Sequence, residues 1–142
     1  MIDRPRRDLA RRVLQRFVEG AITNDEFEAQ FPSGTEDSAL PAIKANVWML
    51  YSDLHRHKLT RKHAPNAEQR ALLHRCGLFL GTNLEFQLPV PTIRLANIFA
   101  KLWPEAKASR GTTSENQLTQ DHDGEVWPFS NKQEYDKYLA IG

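Results

Sequence analysis

Leu9, Ala10, Val13, Leu14, Phe17 and Val18 recur three and four residues apart, the period of one helix face. They predict a helix over 4–19, with Pro5 in its first turn, where a missing N–H costs little. Gly20 can take the left-handed conformation that closes this helix. Thr23 and Glu26 have capping-box spacing, and Ile22 and Phe27 fall where a hydrophobic staple sets the approach of the next helix. That short helix spans 24–31 and stops at Pro32-Ser33-Gly34. A second stripe, Ile43, Val47, Leu50 and Leu54, is widened by Trp48, Met49 and Tyr51. It predicts a well-buried helix from Ser38, with Pro41 in the first turn, to about His55. Asn66 and Gln69 form another box and open a helix. Its inward face is Leu72, Leu73, Cys76, Phe79 and Leu80, and Gly81 or Asn83 ends it.

Beyond that point the pattern weakens. Leu84-Glu85-Phe86-Gln87-Leu88 alternates with the strand period. A helix is expected over 92–103, stopped by Pro104. Residues 105–123 are polar, without periodicity, and read as a long loop. Glu125 to Phe129 reads as a short extended segment beside 84–88, confined to an edge by Pro128. Ser130 and Gln133 cap a final helix through Leu139. The expected fold is mainly α: a single domain over 1–142, a bundle of about five helices with at most a minor two-stranded extended pair.

Charge sharpens this picture more than composition does. The net charge is only +1, against the strongly basic balance of dedicated nucleic-acid binders. Yet residues 1–20 hold six Arg against three acids, and residues 21–40 hold five acids and no base. Residues 41–80 hold seven bases against two acids, and residues 111–142 six acids against two Lys. Such blocks either neutralise one another within the fold or face a charged partner. One cysteine, Cys76, cannot form an intrachain disulfide. No secretory h-region follows the Arg-rich start, and the longest apolar run, Val47 to Tyr51, is too short to span a bilayer. The expected location is cytoplasmic.

The densest chemistry lies in His55-Arg56-His57-Lys58-Leu59-Thr60-Arg61-Lys62-His63. It packs four bases and three histidines into nine residues. His55, His57 and His63 are weak metal candidates, since no thiolate or carboxylate stands at a supporting spacing. Arg56, Lys58, Arg61 and Lys62 could hold phosphate or an RNA backbone. The plain alternative is a solvated basic loop complementing the dipole at a helix C-terminus. Arg7 with Arg11, and Arg12 with Arg16, are spaced one turn apart on the first helix. The economical reading pairs this face with the acidic 25–37 region; binding an acidic partner is the other. Cys76 lies on an apolar stripe and reads as a buried thiol rather than a nucleophile served by His74. Asp121-His122-Asp123 and the Asp53–His57 spacing are weaker still. Trp127 and Phe129, with Tyr135 and Tyr138, either dock a partner or tack the last helix to the core. No phosphate-cradling Gly loop, GxSxG or HExxH occurs.

The Phe17–Phe31 stretch, with its Gly-x-Ile-Thr-x-Asp-Glu-Phe-Glu corner, resembles the short helical hairpin known as a SHOCT module. More broadly, the order of Leu54-x-x-His57-x-Leu59-Thr60, Phe79-Leu80-x-Thr82-Asn83-Leu84-Glu85-Phe86 and Val126-Trp127-Pro128-Phe129 resembles small uncharacterised bacterial cytoplasmic proteins over about residues 40–135. That resemblance implies no activity and transfers no functional residue; proteins of this kind often serve as immunity partners of secreted toxins. The expectation is a non-enzymatic protein that binds another protein, as an immunity protein or adaptor, without cofactor or membrane. Arg12, Arg16, Arg56, Lys58, Arg61, Lys62, Trp127 and Phe129 are its candidate contacts. Binding of RNA or another polyanion through 55–63 and the first helix is the alternative, and a metal-dependent enzyme the third reading.

Overall fold

The computed structural model describes residues 1–51, 54–87 and 123–141. These residues are mainly helical: α1 (Arg4–Val18), α2 (Asn24–Gln30), α3 (Ala39–Trp48), α4 (Ala67–Leu80), the single turn α5 (Asp123–Val126) and α6 (Lys132–Ile141). A 3-10 turn covers Arg61–His63. No strand occurs among the described residues, so Leu84–Gln87 is irregular despite its alternation. The helix expected over 92–103 and the polar loop over 105–123 lie outside the described residues, except for Asp123 at the start of α5. No described helix is long and apolar enough to cross a membrane.

The first corner forms as its residues dictate. Gly20 adopts φ +72°, and a Cβ there would stand 2.5 Å from the Thr60 methyl. The Thr23 hydroxyl accepts from the Glu26 N–H, and the Glu26 carboxylate accepts from the Thr23 N–H at 2.7 Å. Ile22 and Phe27 are both buried. Asn66 and Gln69 complete the equivalent box on α4.

α4 is the spine: α1, α3 and α6 pack on it, while α2 packs on α1 and α5 on α6. One apolar cluster draws residues from α1 through the C-terminal segment. At one end Phe17 stacks on Phe27 at 4.7 Å, with Tyr51 edge-on to Phe17 at 5.2 Å. At the other, Phe79 meets Phe86 and Phe129 edge-on, and Trp127 meets Phe86.

Three expectations need correction. The helix opened near Ser38 stops at Trp48 instead of running to His55. Hydrogen bonds to Asn24 claim the backbone of 55–57, so that segment is held across the fold and not within a helix. Leu54 is therefore 81 % exposed, and Trp48 and Met49 are exposed as well. The 125–129 segment is not extended: α5 leads into a turn closed by Phe129 N–H to the Val126 carbonyl, with the Trp127–Pro128 peptide cis. The last helix is capped one residue later than its sequence suggested. Asn131 accepts from the Glu134 N–H, and Glu134 accepts from Ser130 N–H, in place of Ser130 with Gln133.

The most consequential contact concerns Arg7. The economical reading pairs its face with the acidic 25–37 region, and Arg7 does meet Asp37, but as a fully buried pair and not at the surface. Its Nε and Nη2 grip the two oxygens of buried Asp37 at 2.6 and 3.0 Å. Its Nη1 donates to the carbonyls of Thr82 and Leu84 at 3.1 and 2.8 Å. The guanidinium also lies 5.2 Å from the Phe79 ring centroid. Burial pushes the Asp37 carboxyl upward, but donors from Arg7, the Asp3 and Ala39 N–H groups and the Arg7 charge outweigh it and hold it below its ordinary value. Arg4 works beside it, donating to the Leu80 carbonyl and to Thr82 O at 2.6 Å. Two arginines of the first turn of α1 thus satisfy carbonyls left bare by the end of α4.

Candidate functional site

The basic segment 55–63 remains the richest chemistry on the surface, but its setting is new. It does not follow a helix C-terminus, so the dipole reading offered for it does not hold. It is pinned to the start of α2. Asn24 is completely buried, and its side chain receives the His57 N–H at 2.8 Å and donates to the His55 carbonyl at 3.2 Å. Its own N–H, one of the orphan donors of a helix start, reaches the His57 carbonyl at 2.9 Å. Leu59 is buried, and Thr60 packs against Gly20.

This anchoring turns the charged side chains outward. Arg56, Lys58, Arg61 and Lys62 are all exposed. Arg56 pairs with Asp25 at 3.0 Å, an exposed contact worth little on its own. Lys58, Arg61 and Lys62 have no ion pair among the described residues. Arg61 holds φ +53°, a left-handed conformation that a side chain adopts at a cost. The Thr23 N–H hydrogen bond holds the nearby Glu26 carboxyl below its ordinary value, working against desolvation; the Thr23 side chain, Lys58 and Arg56 add to the lowering.

The three histidines part company. His55 is exposed, while His57 is buried and stacks on His63 with centroids 4.1 Å apart and planes 25° from parallel. His57 Nδ1 lies 2.7 Å from the His55 carbonyl, which can only accept, so Nδ1 carries the proton. Desolvation first, and then the neighbouring His57, Lys62 and His55, push the His63 imidazole below its ordinary value. Two stacked rings do not converge on a point as metal ligands do. No cluster of three or more His, Cys, Asp or Glu arranged for a metal occurs among the described residues. Tyr51, His57, Lys62, His63 and Gln69 wall a cavity of about 190 Å³.

The remaining candidates scatter. Arg16 is exposed and reaches Gln30 of α2 at 3.2 Å, and Arg12 is exposed. Trp127 and Phe129 are buried, so they tack the C-terminal segment to the core and are corrected as docking residues. The Arg75 Nε donates to the Trp127 carbonyl at 3.0 Å. Cys76 is buried, and burial drives its thiol up to about 12, leaving no thiolate for catalysis. Asp53 and His122 lie outside the described residues, as does the Asp123 side chain. Sequence reading passed over Asn24, Tyr51 and Gln69, the residues that position the loop and complete the cavity. Asn24 was legible in retrospect, three residues before Phe27 on the inner face of α2.

Compared with known protein families, curated proteins and solved structures, the chain finds no match in any of the three.

Proposed function

We propose that the protein acts by binding another protein, in the manner of an immunity protein or adaptor. The observation that carries this reading is the surface around the end of α3. Trp48 and Met49 are each 43 % exposed, and Leu54 is exposed beyond them. Leu50 and Tyr51, the next residues along, share a cavity wall with Lys62 and His63. Large apolar groups next to long basic ones make the composition of a protein interface, where Trp, Met and Arg are enriched. The unpaired charge on Lys58, Arg61 and Lys62 favours an acidic partner surface and a fast, salt-sensitive encounter. Capture of a stoichiometric partner from native lysate by the wild-type protein, and its loss in Trp48→Glu and Met49→Glu variants of unchanged helicity, is the expected result. No partner, or capture indifferent to both substitutions, would overturn it.

A second reading, binding of RNA or another polyanion, draws on the same exposed cations. It predicts an affinity falling steeply with salt, with a slope of about −0.7 per phosphate neutralised on a single strand. Negligible binding at low salt removes it.

A further inference from the structure

We infer that the cavity walled by Tyr51, His57, Lys62, His63 and Gln69 is a binding site for one small oxyanion, a phosphate or carboxylate group. This inference goes beyond the protein-binding reading and does not depend on it.

The cavity has room for a small group. At about 190 Å³ it falls below the pockets of about 300–1,000 Å³ that enclose drug-sized ligands and cofactors, yet exceeds what one water needs. Hydrogen-bond accounting decides the sign. The Gln69 Oε1 is committed to the Asn66 N–H at 2.9 Å, so its amide NH₂ is the half left for a ligand. Lys62 brings three donors and no acceptor. With His57 Nδ1–H held by the His55 carbonyl, its Nε2 is the free ring nitrogen, a donor once the ring is protonated. The Tyr51 hydroxyl meets the Glu28 carboxylate at 2.9 Å and serves as wall and not as ligand. That bond also occupies the Glu28 carboxylate, and among the described residues no acidic side chain lines the cavity.

Among the described residues the wall therefore carries the Lys62 ammonium and two imidazoles, and no carboxylate. His63 already resists its proton because of desolvation and the neighbouring His57, Lys62 and His55. An oxyanion would oppose that effect, so its binding and the protonation of His63 must favour each other.

The test follows the imidazole resonances of His57 and His63 by NMR over a series of pH values. Inorganic phosphate, acetate and sodium chloride of matched ionic strength are titrated separately. The expected result is a saturable shift with phosphate or acetate, absent with chloride, and an upward move of the His63 midpoint at saturation. The arm with the lower midpoint concentration tells phosphate from carboxylate. Lys62→Gln, at an exposed position without an ion pair among the described residues, is expected to weaken the binding about tenfold. Equal shifts in all three salts, no saturation, or undiminished binding in Lys62→Gln would each overturn the site. Loss of partner capture alone would leave these titrations unchanged, so the two readings fail separately.

Discussion

Arg7 is the residue on which most of the surrounding structure depends. Removing one member of a buried, bidentate pair leaves the other charge uncompensated, at a cost of about 3–5 kcal/mol. Arg7→Met and Asp37→Leu should each lose stability on that scale in denaturant unfolding. The double variant should recover only part of the loss, because the Thr82 and Leu84 carbonyls stay without Arg7 as donor. Titration adds two windows. The folded value of Asp37 is lowered, so its contribution is present above 3.8 and lost as pH falls through the lower folded value. His63 is also lowered, so the unfolded chain takes up its proton first. Stability then declines as pH drops below about 6.5 toward the folded value. His63→Gln should flatten that decline in thermal melts; an unchanged slope would show that His63 is not responsible. Arg7 was partly legible: it precedes Ala10, Leu14 and Phe17 at spacings of three, four and three, on the apolar stripe itself. Its charge argued for the surface, and only the distant Asp37 and the bare carbonyls after α4 make the interior tolerable.

Among the elements, those announced by local chemistry formed where expected. Capping boxes at Thr23 and Asn66 need only residues three apart, so they are visible in a short window. Thr23→Ala should cost about 1 kcal/mol, with the helical signal of α2 frayed and not the whole fold lost. Gly20→Ala should cost more, because the left-handed backbone alone penalises a side chain by about 1–2 kcal/mol and the new Cβ meets the Thr60 methyl. Adding Thr60→Ser removes that methyl and should restore the steric part only. Equal stability of the single and double variants would show that the contact carries no energy. The end of α3 was not legible, since Leu50 and Leu54 continue a helical stripe on paper. What stops it is the bracket that Asn24 places on residues 55–57, a contact more than thirty residues away in sequence.

The whole molecule sorts its charges by depth. The basic and acidic blocks of the first forty residues meet as one buried pair, Arg7–Asp37, while the 55–63 block stays mostly at the surface. Salt should therefore act unevenly. Raising it to about 1 M, where the Debye length is about 3 Å, should erase Arg56–Asp25 and partner steering while leaving the Arg7 core standing in unfolding curves. The helical class was readable from periodicity, because a bundle is built from local repeats. The candidate site was half readable: its cations lie in nine consecutive residues, but its walls come from Tyr51 and Gln69, which only the fold brings to them. The reach of Arg7 also sets an order in time. Its farthest acceptor, the Leu84 carbonyl, lies 77 residues further along the chain. At about 5–20 residues per second, a ribosome takes roughly 4–15 s to supply it. For that interval the nascent α1 carries a stripe arginine with no interior to enter, so the helix made first must wait to be seated until α4 has been completed.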